Sequence, residues 1–70
     1  MTEAEFRKMV RSHDYYYEYS DDYRVWERGR AEKAALRAAM KELPEGVGER
    51  IWEEEIKSMY SEYTSLTQVQ

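Results

Sequence analysis

The sequence has 70 residues, a net charge of −4 and no cysteine. A chain of this length forms one domain at most, and folding buries only about 60% of the surface that the unfolded chain exposes. The absence of cysteine excludes disulfide bonds and cysteine-based metal sites. Two tryptophans, seven tyrosines and one phenylalanine must therefore supply much of the core. A homodimer remains open as a second way to bury these rings.

The negative charge is concentrated in the last third of the chain. Residues 44–70 carry six acidic and two basic side chains, whereas residues 21–43 carry six basic and five acidic ones. No apolar run reaches the length of a membrane span, and the polar opening MTEAEFRK does not resemble the apolar segment of a signal peptide. We therefore expect an intracellular protein without a membrane partner.

The opening residues predict a first helix over about residues 3–17. Thr2 and Glu5 form a Thr-x-x-Glu pattern, in which the threonine oxygen caps the amides of the first turn. Apolar and aromatic side chains then follow at helical spacing, which places them on one face. They are Phe6, Met9, Val10, His13 and Tyr17. The end of this helix is the least defined part, because consecutive tyrosines suit a strand as well as a helix.

A second helix is predicted over residues 21–43. The triplet Ser20-Asp21-Asp22 is typical of a helix start, because its oxygens accept hydrogen bonds from free amides at the positive end of the helix dipole. The run AEKAALRAAMKEL has high helix propensity. The predicted inner seam consists of Trp26, Gly29, Lys33, Leu36, Met40 and Leu43. A glycine on this seam predicts a close approach between two helices.

A third helix is predicted over residues 48–63, after a turn that contains Pro44 and two glycines. Its apolar positions recur at helical spacing. They are Ile51, Trp52, Ile56, Met59, Tyr60 and Tyr63. The tail, residues 63–70, is polar and is expected to fray. The sequence therefore predicts an all-α fold, a small three-helix domain.

No residue pattern predicts a catalytic site, a metal site or a cofactor. The only histidine, His13, has four carboxylates nearby in sequence, but they do not converge as a hard-cation site requires. These are Asp14, Glu18, Asp21 and Asp22. The sequence contains no glycine-rich phosphate loop and no nucleophile motif. We predict that the protein is not an enzyme, and we interpret His13 as a partly buried structural residue.

Two charged faces provide alternatives that involve nucleic acid. Four basic side chains of the second helix approximate one face, which would follow a phosphate backbone in a nucleic-acid-associated regulator. They are Arg30, Lys33, Arg37 and Lys41. Interleaved acidic residues and the negative net charge argue against a nucleic-acid partner. The acidic third helix suggests a DNA mimic as a further alternative, although a solvated acidic face is the simpler interpretation.

The tyrosines between His13 and Trp26 are the most informative feature, since this stretch holds five of the seven. Consecutive helical residues differ in direction by about 100°, so these rings cannot all face one core. Tyrosine, tryptophan and arginine dominate protein–protein contacts, which predicts a protein-binding surface. Tyrosines that line the rim of a thin core are the alternative. The predicted contact residues are Tyr15, Tyr16, Tyr19, Tyr23, Arg24, Glu49, Glu53 and Glu54.

The segment HDYYYEYSDDYRVWERG, residues 13–29, resembles a segment of small bacteriophage proteins of uncharacterised function. The shared features are His-Asp, two or three aromatic residues, Ser-Asp-Asp and a later glycine, and they cover about a quarter of the chain. The resemblance implies an accessory phage protein in the cytoplasm of the host bacterium. Such a protein would bind and inhibit a host protein, for example a defence system such as a CRISPR effector, which would make it an anti-CRISPR protein.

Overall fold

The computed structural model describes the backbone of residues 1–68 and the side chains of residues 1–61. Within that range the chain is all-α, as predicted, with three α-helices and no strand. Helix α1 spans Glu3–Ser12, α2 spans Tyr23–Met40 and α3 spans Val47–Gln68, and a single 3₁₀ turn lies at Tyr17–Tyr19. No helix in the described part is long and apolar enough to cross a membrane.

Helix α1 begins where the sequence predicts but ends earlier. Oγ1 of Thr2 accepts a hydrogen bond from the amide of Glu5 at 3.1 Å, which is the predicted cap. The helix stops at Ser12, and the next residue has extended backbone, so the predicted end at residue 17 is wrong. A helix would turn Tyr15 and Tyr17 about 200° apart, whereas the turn at residues 15–16 and the 3₁₀ turn after it allow both to face the core.

Helix α2 begins two residues after the predicted start, because Asp22 acts as its cap. The Asp22 carboxylate accepts a hydrogen bond from the amide of Arg24 at 2.9 Å. The Ser20 hydroxyl accepts from the amide of Asp22 at 3.1 Å. The predicted triplet is therefore used, but as a turn followed by a cap, and the first helical residue is Tyr23.

Helix α2 ends at Met40 rather than at residue 43, and a tight turn follows. Pro44 disfavours helical backbone at the residue before it. The amides of residues 41–43 bond to carbonyls three residues back, which closes the end of the helix as a 3₁₀-type turn. Gly46 has a φ of 82°, a conformation that glycine adopts readily. Helix α3 then starts at Val47, one residue before the predicted start.

Helix α3 extends to Gln68, five residues beyond the predicted end. The backbone of the tail that was expected to fray is therefore helical up to that residue, and residues 69–70 lie outside the described residues. No glycine or proline follows Gly48, so this segment contains none of the residues that most often stop a helix.

One small core lies between the three helices. The ring of Phe6 packs edge to face on Trp52, with 6.3 Å between ring centroids. The buried apolar side chains of this core are Phe6, Val10, Leu36, Ala39, Leu43 and Ile51. The predicted α3 seam is covered only in part, since Ile56 is 39% exposed and Tyr60 is 72% exposed.

Candidate interaction surface

Residues 13–22 join α1 to α2, and we call them the tyrosine connection. The connection starts and ends with extended backbone and contains one 3₁₀ turn. Its four tyrosines divide into two pairs. Tyr15 and Tyr17 pack inward, whereas Tyr16 and Tyr19 are exposed. The departure from helical geometry after α1 produces this division.

The inward tyrosines fix the connection to the helices. The Tyr15 hydroxyl donates to the carbonyl of Val10 at 2.7 Å, and Tyr17 is 5% exposed. Burial raises the pKa of both phenols. A Cβ atom added at Gly29 would lie 2.1 Å from Cγ of Tyr17. The predicted close approach at Gly29 is therefore present, but it joins a tyrosine ring to α2 rather than two helices.

The outward tyrosines lie on a backbone that is held in place. Tyr16 is 75% exposed and Tyr19 is 82% exposed. Their ring centroids are 6.4 Å apart. The Asp14 carboxylate accepts a hydrogen bond from the amide of Tyr16 at 2.9 Å, and the amide of Tyr19 donates to the Tyr16 carbonyl at 3.0 Å. Two exposed rings therefore project from a hydrogen-bonded turn.

A second aromatic group begins α2, directly after the connection. Tyr23 is 66% exposed, and its ring stacks on Trp26 with 6.0 Å between centroids and 19° between planes. The guanidinium of Arg30 lies 4.9 Å from the centroid of the Trp26 ring, within cation–π range. The Tyr23 hydroxyl donates to the Glu27 carboxylate at 2.7 Å. These contacts restrain the exposed Tyr23 ring.

His13, the first residue of the connection, is buried more deeply than predicted. Its side chain is 1% exposed, and Nδ1 lies 3.2 Å from a carboxylate oxygen of Glu32. Nε2 has no hydrogen-bond partner among the described residues. The ring contacts Tyr15 edge to face at 4.7 Å and lines a cavity of about 310 Å³ with Met9 and Glu32. Among the side chains of residues 1–61, no group of three or more histidines and carboxylates is placed to hold a metal ion.

No family model matches this chain, and no curated protein or solved structure is significantly similar to it. The function must therefore be inferred from the geometry and chemistry of its own residues.

Of the predicted contact residues, Arg24 directly follows Tyr23 in sequence, and its side chain is 91% exposed. Its guanidinium pairs with the Asp22 carboxylate at 3.2 Å. The hydrogen bond from Arg24 lowers the pKa of Asp22.

The predicted acidic contacts lie on α3, and two of the three are in ion pairs. Glu53 pairs with Lys57 at 3.0 Å. Glu54 pairs with Arg50 at 3.2 Å and also reaches an arginine of α1 at 3.5 Å. Glu49 is exposed and makes no ion pair within the part of the chain whose side chains are described. The negative potential of this face is therefore partly neutralised.

Glu55 has a structural role that the sequence analysis missed. It is 2% exposed, and its two oxygens accept hydrogen bonds from Arg7 at 2.7 Å and from Arg11. The hydrogen bonds from Arg11 and Arg7 lower the pKa of Glu55. Two signals were present in the sequence: the arginines stand one turn apart on α1, and Glu55 follows the buried Ile51 by one turn on α3. We call these three charged side chains the α1–α3 clasp.

Proposed function

We propose that this chain is a small interaction protein that binds and inhibits a bacterial protein through its outward tyrosines. We call Tyr16, Tyr19 and Tyr23 the tyrosine surface. Their exposure carries the proposal: they are 75%, 82% and 66% exposed, although the tyrosines on either side of Tyr16 are packed inward. The resemblance of residues 13–29 to phage accessory proteins suggests a phage origin, and it makes bacterial defence proteins such as CRISPR effectors the first partners to test.

The anchoring of the connection supports a role in binding. Tyrosine offers a large contact area with few rotatable bonds, so it loses little conformational entropy on binding. Tyr16 and Tyr19 project from a backbone that is fixed by two contacts. The Tyr17 ring packs against Gly29, and the Asp14 carboxylate accepts a hydrogen bond from the amide of Tyr16. Rings that are already in place lower the free-energy cost of association.

The tyrosine surface is small enough to lie within one interface. The Cα atoms of Tyr19 and Tyr23 are four residues apart, so they are separated by at most about 14 Å. A standard interface covers about 800 Å² of each partner. Trp26 stacks on Tyr23, and the guanidinium of Arg30 lies over the Trp26 ring. The region therefore combines the three residue types that most often dominate binding energy.

The alternative of a tyrosine rim around the core fits Tyr15 but not the tyrosine surface. A rim tyrosine covers apolar neighbours with its ring and keeps its hydroxyl hydrogen-bonded. Tyr15 does this, because its ring is half-buried and its hydroxyl bonds to Val10. Tyr16 and Tyr19 leave most of their surface to solvent. A partner protein would cover the apolar part of these two rings.

A pull-down experiment followed by calorimetry tests the proposal. The immobilised full chain is incubated with lysate of bacteria that carry CRISPR and restriction systems, and any stoichiometric partner is identified by mass spectrometry and purified. We expect the variant Tyr16→Ala/Tyr19→Ala to weaken binding of that partner by at least about 30-fold, the effect of losing one interface hot spot. Inhibition of the partner's activity by the wild-type chain should decline in parallel.

The matched control is Tyr60→Ala, which removes an exposed tyrosine that belongs to α3 and not to the connection. It should bind like the wild type, and circular dichroism should show the same helix content for all three proteins. The proposal fails if no stoichiometric partner is recovered. It also fails if the double variant and the Tyr60 variant bind the recovered partner equally well.

A further inference from the structure

One side of α2 carries a row of basic side chains, of which Lys33 lies at the edge of the inner seam and is half-buried and the others are exposed. At about 100° per residue, Arg30, Lys33, Arg37 and Lys41 fall within an arc of about 80°. We call these four residues the basic stripe. At a rise of 1.5 Å per residue the stripe is about 16 Å long. The stacked Tyr23 and Trp26 extend the same arc toward the N-terminus of the helix.

The basic stripe is not neutralised by ion pairs with the side chains that the structure describes. None of its four side chains forms an ion pair in residues 1–61. Glu32, which directly precedes Lys33 in the helix, lies 3.2 Å from Nδ1 of His13, and Glu27 accepts a hydrogen bond from Tyr23. Glu45 and Glu49 share a shallow depression with Arg37 and Lys41 without pairing with them. The stripe therefore carries four cations without an ion pair in this range, and two carboxylates lie near its C-terminal end.

The aromatic end of the face offers a ring for stacking. Tyr23 lies one turn before Trp26 and Arg30 lies one turn after it, so the indole is held between the phenol and the guanidinium. The Tyr23 ring forms the end of this stack and is 66% exposed. An exposed, restrained ring beside a row of cations is the arrangement with which proteins hold single-stranded nucleic acid.

We propose that this face of α2 binds single-stranded nucleic acid, with a base stacked on Tyr23 and the phosphates along the basic stripe. The inference goes beyond protein binding and does not depend on Tyr16 or Tyr19. Cations that repeat every three or four residues suit a linear polyanion whose charges are also evenly repeated. An acidic protein surface would satisfy the cations but would make no use of the open ring of Tyr23.

Fluorescence anisotropy of a labelled oligothymidine with the full chain tests this proposal. Four phosphate contacts predict a slope of about −2.8 for log affinity against log salt, or an approximately 50-fold loss between about 50 and 200 mM salt. The variant Arg37→Gln/Lys41→Gln should reduce this slope to about −1.4. Tyr23→Ala should weaken binding roughly tenfold and leave the slope unchanged, because stacking is not ionic.

The matched control, Lys8→Gln/Arg28→Gln, removes two exposed cations outside the stripe and should leave the slope unchanged. Absence of any anisotropy change at low salt would overturn the proposal, as would equal slopes for the two double variants. If polyglutamate at the same charge concentration displaces the oligonucleotide, the basic stripe binds an acidic protein instead. If a duplex binds as tightly as the single strand, no base stacks on Tyr23. Tyr16→Ala/Tyr19→Ala should bind the oligonucleotide normally, which separates this result from the test of protein binding.

Discussion

Gly29→Ala will destabilise the protein by about 3 kcal/mol, the upper end of the usual cost of overpacking. An added Cβ would lie 2.1 Å from Cγ of Tyr17 and 2.4 Å from its Cβ. These atoms are close to the Tyr17 backbone, so a rotation of the ring cannot make room. The tyrosine connection must move away from α2 instead. Thermal unfolding should show a melting temperature lower by at least about 10 °C.

A double-mutant cycle distinguishes this clash from a general effect of the substitution. In an unobstructed helix, replacing glycine by alanine stabilises by up to about 1 kcal/mol. The same change in a Tyr17→Gly background, which removes the Cβ of residue 17 together with the ring, should therefore raise the melting temperature rather than lower it. If Gly29→Ala is neutral or stabilising in the wild-type background, the Tyr17 ring does not pack against Gly29 and does not hold the connection against α2.

Glu55→Gln will lower the melting temperature by about 10 °C, a large change for a domain of this size. The carboxylate is 3% exposed and holds Arg7 and Arg11 of α1 against α3. Removing the buried charge leaves Arg7 and Arg11, whose side chains are 36% and 63% exposed, without their carboxylate partner. Glutamine keeps the shape of the side chain, so the lower melting temperature reports the missing charge of the clasp rather than a cavity.

The pH dependence of the free energy of unfolding should report the ionisation of Glu55. The pKa of Glu55 is lower in the folded protein than its ordinary value of 4.5, because Arg11 and Arg7 donate hydrogen bonds to the charged form. Its stabilising contribution is therefore complete above that ordinary value and is lost as pH falls through the lower folded pKa. Chemical denaturation between about pH 7 and pH 3 should show that the free energy of unfolding falls more steeply with decreasing pH for the wild type than for Glu55→Gln.

Glu54→Gln is the matched control for both measurements. Glu54 is adjacent in sequence and also pairs with two arginines, but its side chain is 48% exposed. Exposed ion pairs contribute little, so the melting temperature should change by no more than a few degrees. If the two variants behave alike, the clasp is a surface interaction and does not hold α1 against α3.

The helices were largely predictable, because local signals determine them. The Thr2 cap, the proline and glycines of the second turn and the high helix propensity of α2 act over a few residues, and each works as the sequence indicates. The boundaries were less certain because neighbours compete for them. Ser20, Asp21 and Asp22 all suit a cap, and only the hydrogen bond from Arg24 identifies Asp22.

The tyrosine connection could be anticipated in part only. The step of 100° per residue established that some rings must be exposed, but it did not identify them. Tyr15 and Tyr17 turn inward because α1 ends at Ser12, and that ending follows from packing between distant residues such as Tyr17 and Gly29. The burial of Glu55 also depends on distant residues, since its arginine partners are more than 40 residues away in sequence.

The tyrosine surface requires that solvent reach some tyrosine rings and not others, and photochemically induced nuclear polarisation measures this accessibility directly. A flavin dye polarises only accessible tyrosine rings, and single Tyr→Phe variants assign each signal. We expect strong polarisation of Tyr16, Tyr19 and Tyr23, which are 66–82% exposed, and none of Tyr17, which is 5% exposed. If Tyr17 is polarised as strongly as Tyr19, or if Tyr16 and Tyr19 are silent in the free protein, the tyrosine surface does not exist as described.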